Sequence, residues 1–450
     1  MKPSASETPR QISDLTYYIV AAVIGALTGV IGSVFHLLIE FFTKQSYQMG
    51  DITGLEGMPL YIFMAVFSSA LFCGGVALVR NIAPEASGSG VQEIEGAMQG
   101  LRVVHWARVL PVKFVGGLMV LAGGLVTGRE GPTIHMGASI AKAIGSRLAM
   151  GVQEARGLLG AGGAAGLASA FNAPMASVLF IIEEARNSFP YSFRTYSAVI
   201  LACAFSSILT TVLTGSTPYM ELSGTKMPAS FTLAFVVLGL IFGVIGYLFN
   251  NAILKGLDIS ERIGIKVSPY VVPILLGVVI GPLLVIYPDV TGGGEAFVVS
   301  VANNPLPLGM LAIILLLRFF LSAASYSAGA PGGIFAPILS LATTIGVFLA
   351  GLLELVMPLP SGAVIAFVVA SMAALFSSTV RSPLVGVVLV MELTGTISLA
   401  VPVLVAAVCS SIVANALGGR PIYEQLLERT LRLSGVETAP PAKTAAPAES

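Results

Sequence analysis

The chain has 450 residues, of which 55% are hydrophobic and only 10% charged, and its mean hydropathy is +0.90. That composition excludes a soluble globular domain, and a formal net charge of zero removes the basic excess that a nucleic-acid partner would need. The remaining class is a protein dissolved in lipid.

From the N-terminus, a polar segment precedes an uncharged run from Leu15 to Ile39. The run is too long for the apolar stretch of a secretory signal and reads as an uncleaved spanning helix. Further runs without Asp, Glu, Lys or Arg extend from Thr195 to Met220, Phe319 to Leu353, Leu355 to Val380 and Leu393 to Gly419. None alternates with period two, so the barrel alternative is excluded and the fold class is an all-α integral membrane protein. Cys73, Cys203 and Cys409 each lie in an apolar stretch without ligand spacing, so they read as reduced packing residues and no metal site is expected.

Gly25, Gly29 and Gly32 give the first span a small-residue face for close helix contact, and they return as Gly239, Gly243 and Gly246, each 214 residues later. Next in chain order, "SGSG" at Ser87 to Gly90 returns as "TGGGE" at Thr291 to Glu295, and "GREGP" at Gly128 to Pro132 returns as "GGIFAP" at Gly332 to Pro337. Pro174 and Glu183, nine residues apart, return as Pro383 and Glu392 at the same separation, whereas Glu184 meets Leu393 and has no counterpart. The collinear matches divide the chain into an N-terminal segment 1–14, a first half 15–214, a linker 215–230, a second half 231–432 and a tail 433–450, whose Pro- and Ala-rich sequence reads as disordered. Lys2 and Arg10 before the first span, and Arg420, Arg429 and Arg432 after the last, put both termini in the cytoplasm. With an odd number of crossings in each half, the second half inserts upside down, which makes the chain an inverted repeat.

The run from Phe319 to Leu353 is too long for one crossing and too short for two, and Pro331, Gly332 and Gly333 interrupt it. Two half-helices meeting inside the membrane are expected, the second starting near Ile334. Its first N–H groups then lack partners and, with the helix dipole, form an anion site. "GSGVQEIEG" and "GREGPTIHMG" have the same grammar. Each alone reads as a kinked helix with a packing role, but their repeat-related positions favour a shared site.

These residues resemble the CLC family of chloride channels and proton/chloride antiporters, over nearly the whole chain up to about Leu431. The family's three filter motifs resemble "GSGVQ" (Gly88, Ser89 and Gly90 to Gln92), "GREGP" (Gly128, Arg129, Glu130, Gly131 and Pro132) and "GIFAP" (Gly333 to Pro337), and a fourth resembles "GGRPIYEQLLERTL". The resemblance, nearest to the bacterial antiporters, implies a homodimer in the inner membrane with chloride and protons as substrates and no cofactor. It implies that the hydroxyls of Ser89 and Tyr423 and the backbone N–H groups of Ile334 and Phe335 hold chloride. It also implies that Glu130 is the external gate and proton acceptor and Glu184 the internal proton acceptor. No nucleotide partner is expected, since no long extension follows the last motif.

Other readings remain open at this stage. Ser89 can be a helix cap, Tyr423 an interfacial aromatic, and Glu184 a helix-end carboxylate facing cytoplasmic water. A passive chloride channel shares every motif except the use made of Glu184. An intramembrane serine hydrolase pairing Ser89 with His105 or His135 lacks any acyl-transfer motif. Arg129 is expected to reach a carboxylate other than its neighbour, with Glu93, Glu95 and Lys113 forming a paired buried cluster, and His36 is expected to be a packing or interface residue. Val91 and Gln92 stand where the family commonly has Ile-Pro, so the helix after Ser89 lacks the proline that presets its start.

Overall fold

The computed structural model describes residues 12–435 apart from 149, 187, 225 and 226. Lys2, Arg10 and all of the tail beyond residue 435 lie outside the described residues. In the described part the first half contributes α1 (Asp14–Tyr47), α2 (Met49–Thr53), α3 (Gly57–Ile82), α4 (Val91–Gln99), α5 (Trp106–Ala122), α6 (Glu130–Arg147), α7 (Val152–Phe171), α8 (Pro174–Glu183) and α9 (Phe193–Thr214). The second contributes α10 (Thr232–Lys266), α11 (Val271–Ile286), α12 (Glu295–Asn303), α13 (Leu308–Ser327), α14 (Phe335–Glu354), α15 (Ala363–Val380), α16 (Pro383–Thr394), α17 (Ala400–Ala416) and α18 (Ile422–Leu433). Apart from α2 and α18, the helices follow one another in the same order in both halves. Among the described residues, eight helices are long and apolar enough to cross a membrane.

The helices that open the halves, α1 and α10, have 34 and 35 residues. At about 1.5 Å per residue each is far longer than a hydrocarbon core of about 30 Å, so each tilts or projects from it. Their glycines set the packing. A Cβ on Gly25 or Gly29 would run into the backbone of Ala202 or Ser206 on α9, and one on Gly239 or Gly243 into that of Ala406 or Ser410 on α17. The Ser206 hydroxyl donates to the Ala165 carbonyl at 2.7 Å, and Ser410 donates to Ala374 at 2.7 Å. One three-helix contact is therefore built twice, with the almost wholly buried α7 and α15 at its centre.

A reciprocal clasp joins the halves. Glu183, ending α8, accepts from the N–H groups of Leu384 (3.3 Å) and Val385 (2.8 Å) at the start of α16. Glu392 on α16 accepts from Met175 (3.1 Å) and Ala176 (2.7 Å) at the start of α8. Each carboxylate thus satisfies unpaired donors at a helix N-terminus, where the dipole also favours negative charge. The matched spacing of Pro174 with Glu183 and of Pro383 with Glu392 encodes this exchange.

Some expectations need correction. The uncharged run from Leu355 to Val380 is not one helix, because Pro358, Pro360 and Gly362 (φ 78°) separate α14 from α15. The run from Leu393 to Gly419 is broken at Gly395 (φ 70°), where α16 ends. Asp14, grouped with the polar N-terminal segment, is the first residue of α1, and Leu433, grouped with the tail, still belongs to α18. The Ser434 hydroxyl just beyond it accepts from Arg102 Nη1 at 3.2 Å.

Candidate functional site

The glycine-rich breaks before α4, α6 and α14 meet at one place. Gly88 N–H donates to the Ala330 carbonyl (3.0 Å), and Gly332 N–H returns a bond to the Gly88 carbonyl (3.1 Å). Gly128 and Gly333 exchange N–H···O bonds of 2.9 and 2.7 Å. A Cβ on Gly131 would stand 2.7 Å from the Cα of Ser89, which brings the first turn of α6 against the loop before α4. The starts of these three helices, each short of intrahelical acceptors, converge on one buried region.

Glu130, the first residue of α6, is 1% exposed and turns its side chain across to α14. Its Oε1 accepts from the N–H of Phe335 at 2.6 Å, while Oε2 has no protein partner. A Cβ on either Gly128 or Gly333 would overlap this carboxyl group, so the two glycines form its cradle. Pro132 and Pro337 sit within the first turns of α6 and α14, where a missing N–H leaves no intrahelical bond unmade.

Ser89 and Tyr423 are 1% and 0% exposed, and both hydroxyls are without a hydrogen-bond partner. Such orphans are uncommon in a native interior and point to a ligand. The Tyr423 ring lies 5.9 Å from that of Phe335, which also packs edge-on against Phe376 and Phe180. Ile334 caps α14 and is 2% exposed. Despite the missing proline, α4 begins at Val91, started by Gly90 with φ 90°. Neither histidine weighed as a partner bonds to Ser89. Both ring nitrogens of His135 are unpartnered, and His105 lines a cavity at the start of α5.

The charged residues are arranged differently from expectation. Among the described residues, Arg129 reaches no carboxylate. Its Nε donates to the Ala170 carbonyl at 3.1 Å, Nη1 pairs with His36 Nδ1, and the guanidinium stacks on Tyr219 at 4.7 Å. His36, expected as a packing or interface residue, is a polar partner of Arg129. Glu93 forms a bidentate pair with Arg102 (2.8 and 3.1 Å), but Oε1 of Glu95 has no partner, and its charged neighbours are Glu184 and Glu424. Lys113 is fully buried and donates to the carbonyls of Gly88 (2.6 Å) and Ser89 (3.0 Å), fixing the loop before α4. Glu184 caps α8 and accepts from the Ser382 hydroxyl at 2.7 Å. The part taken by Tyr326, whose hydroxyl accepts from the Ser89 N–H at 3.4 Å, has no signal in the sequence, because an aromatic in an apolar run reads as core.

Two cavities that share no lining residue approach this region. One, of about 680 Å³, is lined by Ser87, Gly88, Gln92, Tyr326 and residues of α18. The other, of about 700 Å³, is lined by Gly128, Arg129, Glu295, Arg318 and the C-terminal end of α1.

Known proteins resemble this chain in sequence and in fold. The sequence pattern of the family described as voltage gated chloride channel matches residues 64–415. The H(+)/Cl(−) exchange transporter ClcA of Vibrio parahaemolyticus serotype O3:K6 is 37% identical over 420 residues, covering 92% of this chain and 90% of that protein. The protein of the same name from Citrobacter koseri is 38% identical over 442 residues, covering 96% and 92%. The crystal structure of a slow cyanobacterial Cl−/H+ antiporter superposes with a TM-score of 0.89 at 34% identity, over 95% of this chain and 100% of that one. A CLC-type fluoride/proton antiporter shares the fold with a TM-score of 0.73 at 22% identity, over 89% and 96%.

Proposed function

This chain belongs to the voltage-gated chloride channel (CLC) family, and from that premise we propose that it is a secondary transporter exchanging chloride for protons, with Glu130 serving both ions. The observation that carries the proposal is the carboxylate of Glu130 on the N–H of Phe335, at the electropositive start of α14. An ionised carboxyl group there occupies an anion position and closes the path. A proton removes its charge and with it the attraction, so the side chain swings out and a halide takes its place.

Chloride is then held by the hydroxyls of Ser89 and Tyr423 and the N–H groups of Ile334 and Phe335. These are neutral donors, which bind a dehydrated halide without trapping it as a fixed cation would. Gly88, Gly90, Gly128, Gly131 and Gly333 let the backbone come close, and Pro132 and Pro337 start the two facing helices. Glu184, which breaks the repeat symmetry, accepts protons from the cytoplasm and passes them toward Glu130. The protein works as a homodimer in the bacterial inner membrane, with the two inverted halves spanning 15–214 and 231–432 and both termini in the cytoplasm.

The test is vesicle transport. Purified protein in liposomes with a chloride gradient should drive protons uphill, and Glu184→Gln should stop the protons while chloride still flows. Passive chloride currents with no proton movement would instead make the protein a channel of the same fold.

A further inference from the structure

We propose that Tyr326 is an inner barrier in the anion path: its hydroxyl occupies the N–H of Ser89, and chloride arriving from the cavity beside α18 must displace it. The inference rests on reading Ser89 and Tyr423 as the halide site. Tyr326 lies in the last turn of α13 and is 3% exposed. It lines that cavity beside Ser87, Gly88 and Gln92.

The loop cannot yield in its place. Lys113 holds the Gly88 and Ser89 carbonyls, Gly88 N–H is taken by Ala330, and the Ser87 hydroxyl donates to the Gly329 carbonyl at 3.2 Å. The element free to move is therefore the phenol. Its bond from Ser89 N–H is 3.4 Å long, well beyond the usual 2.9–3.0 Å, and joins two neutral groups. An anion forms a stronger, charge-assisted bond to the same donor, so displacement is favourable but competitive. Fixed charge in the cavity does not decide the matter, because its arginines are committed. Arg102 pairs with Glu93, Arg108 with Glu85, and Arg429 with Asp258 and Glu261. What separates the cavity from the central hydroxyls is then one side chain competing for one N–H group.

Tyr326→Phe removes the competitor and keeps the ring that packs α13. In the purified variant, calorimetry should show chloride binding about three- to tenfold tighter than in the native protein, the worth of one net hydrogen bond. Liposome flux should show faster chloride turnover with the proton-to-chloride ratio unchanged. Bromide scattering beside Ser89 N–H should be stronger in crystals of the variant. Unchanged or weaker chloride affinity would overturn the barrier role. If neither protein binds chloride, the halide reading of the site fails and this inference with it. If the native protein binds chloride but pumps no protons, only the exchange reading fails, and the binding comparison still decides on Tyr326.

Discussion

The loops before α4 and α12 hold equivalent places in the two halves. Each ends on a left-handed glycine, Gly90 (φ 90°) and Gly294 (φ 84°), and each is pinned by a fully buried cation from the second helix after it, α5 or α13. Lys113 bonds the carbonyls of Gly88 and Ser89, while Arg318 bonds those of Asp289 (3.0 and 2.5 Å) and Thr291 (3.5 Å) and the hydroxyl of Ser340 (2.7 Å). The frames match and the contents differ. In the first loop Ser89 presents an unpartnered hydroxyl, whereas the second places Gly293 at the matching position. The same division appears at the crossing, where Glu130 and its repeat counterpart Phe335 bond to each other, one as carboxylate and the other as backbone donor. Repetition supplies the scaffold, and the proposed chemistry sits where the two copies disagree.

The sharpest way to break this comparison is at the crossing. Glu130→Ala should reduce proton movement in vesicles on the order of 100-fold or more while chloride still passes. Retained coupling would mean the mismatch with Phe335 is not where the ions meet. Next come the two cations. Lys113→Met and Arg318→Met each strand buried carbonyls and should lower stability by about 3 kcal/mol, read as thermal unfolding in detergent. Only the Lys113 variant should also weaken chloride binding. The clasp gives a smaller and symmetric effect: Glu183→Gln and Glu392→Gln should each destabilise by about 1–2 kcal/mol, and losses differing by more than about 1 kcal/mol would show that the halves do not share it equally. Smallest of all, Gln92→Pro should change stability by no more than about 0.5 kcal/mol, because α4 already starts beside Gly90 and a proline in its first turn removes no intrahelical bond.

Much of this architecture is legible in the sequence because repetition is a sequence property. The paired glycines, the broken helices and the Pro174–Glu183 spacing each have a second copy to be checked against. The partners of Arg129 were not legible: a buried arginine suggests a carboxylate, yet here a histidine, an aromatic face and a carbonyl share the guanidinium. Glu95 misled for the same reason, since spacing along a chain says nothing about which charges face each other once helices from both halves interleave. Tyr326 was invisible because its hydroxyl matters only through Ser89, 237 residues away in the chain.

The clasp between α8 and α16 also bears on how the protein is made. Met175 and Ala176 leave the ribosome 217 and 216 residues before Glu392, the group that satisfies them. At a synthesis rate of about 5–20 residues per second that interval is roughly 10–40 s. During it, α8 holds an open, polar start that lipid cannot solvate, so the nascent first half needs water or the insertion machinery beside it until the second half arrives.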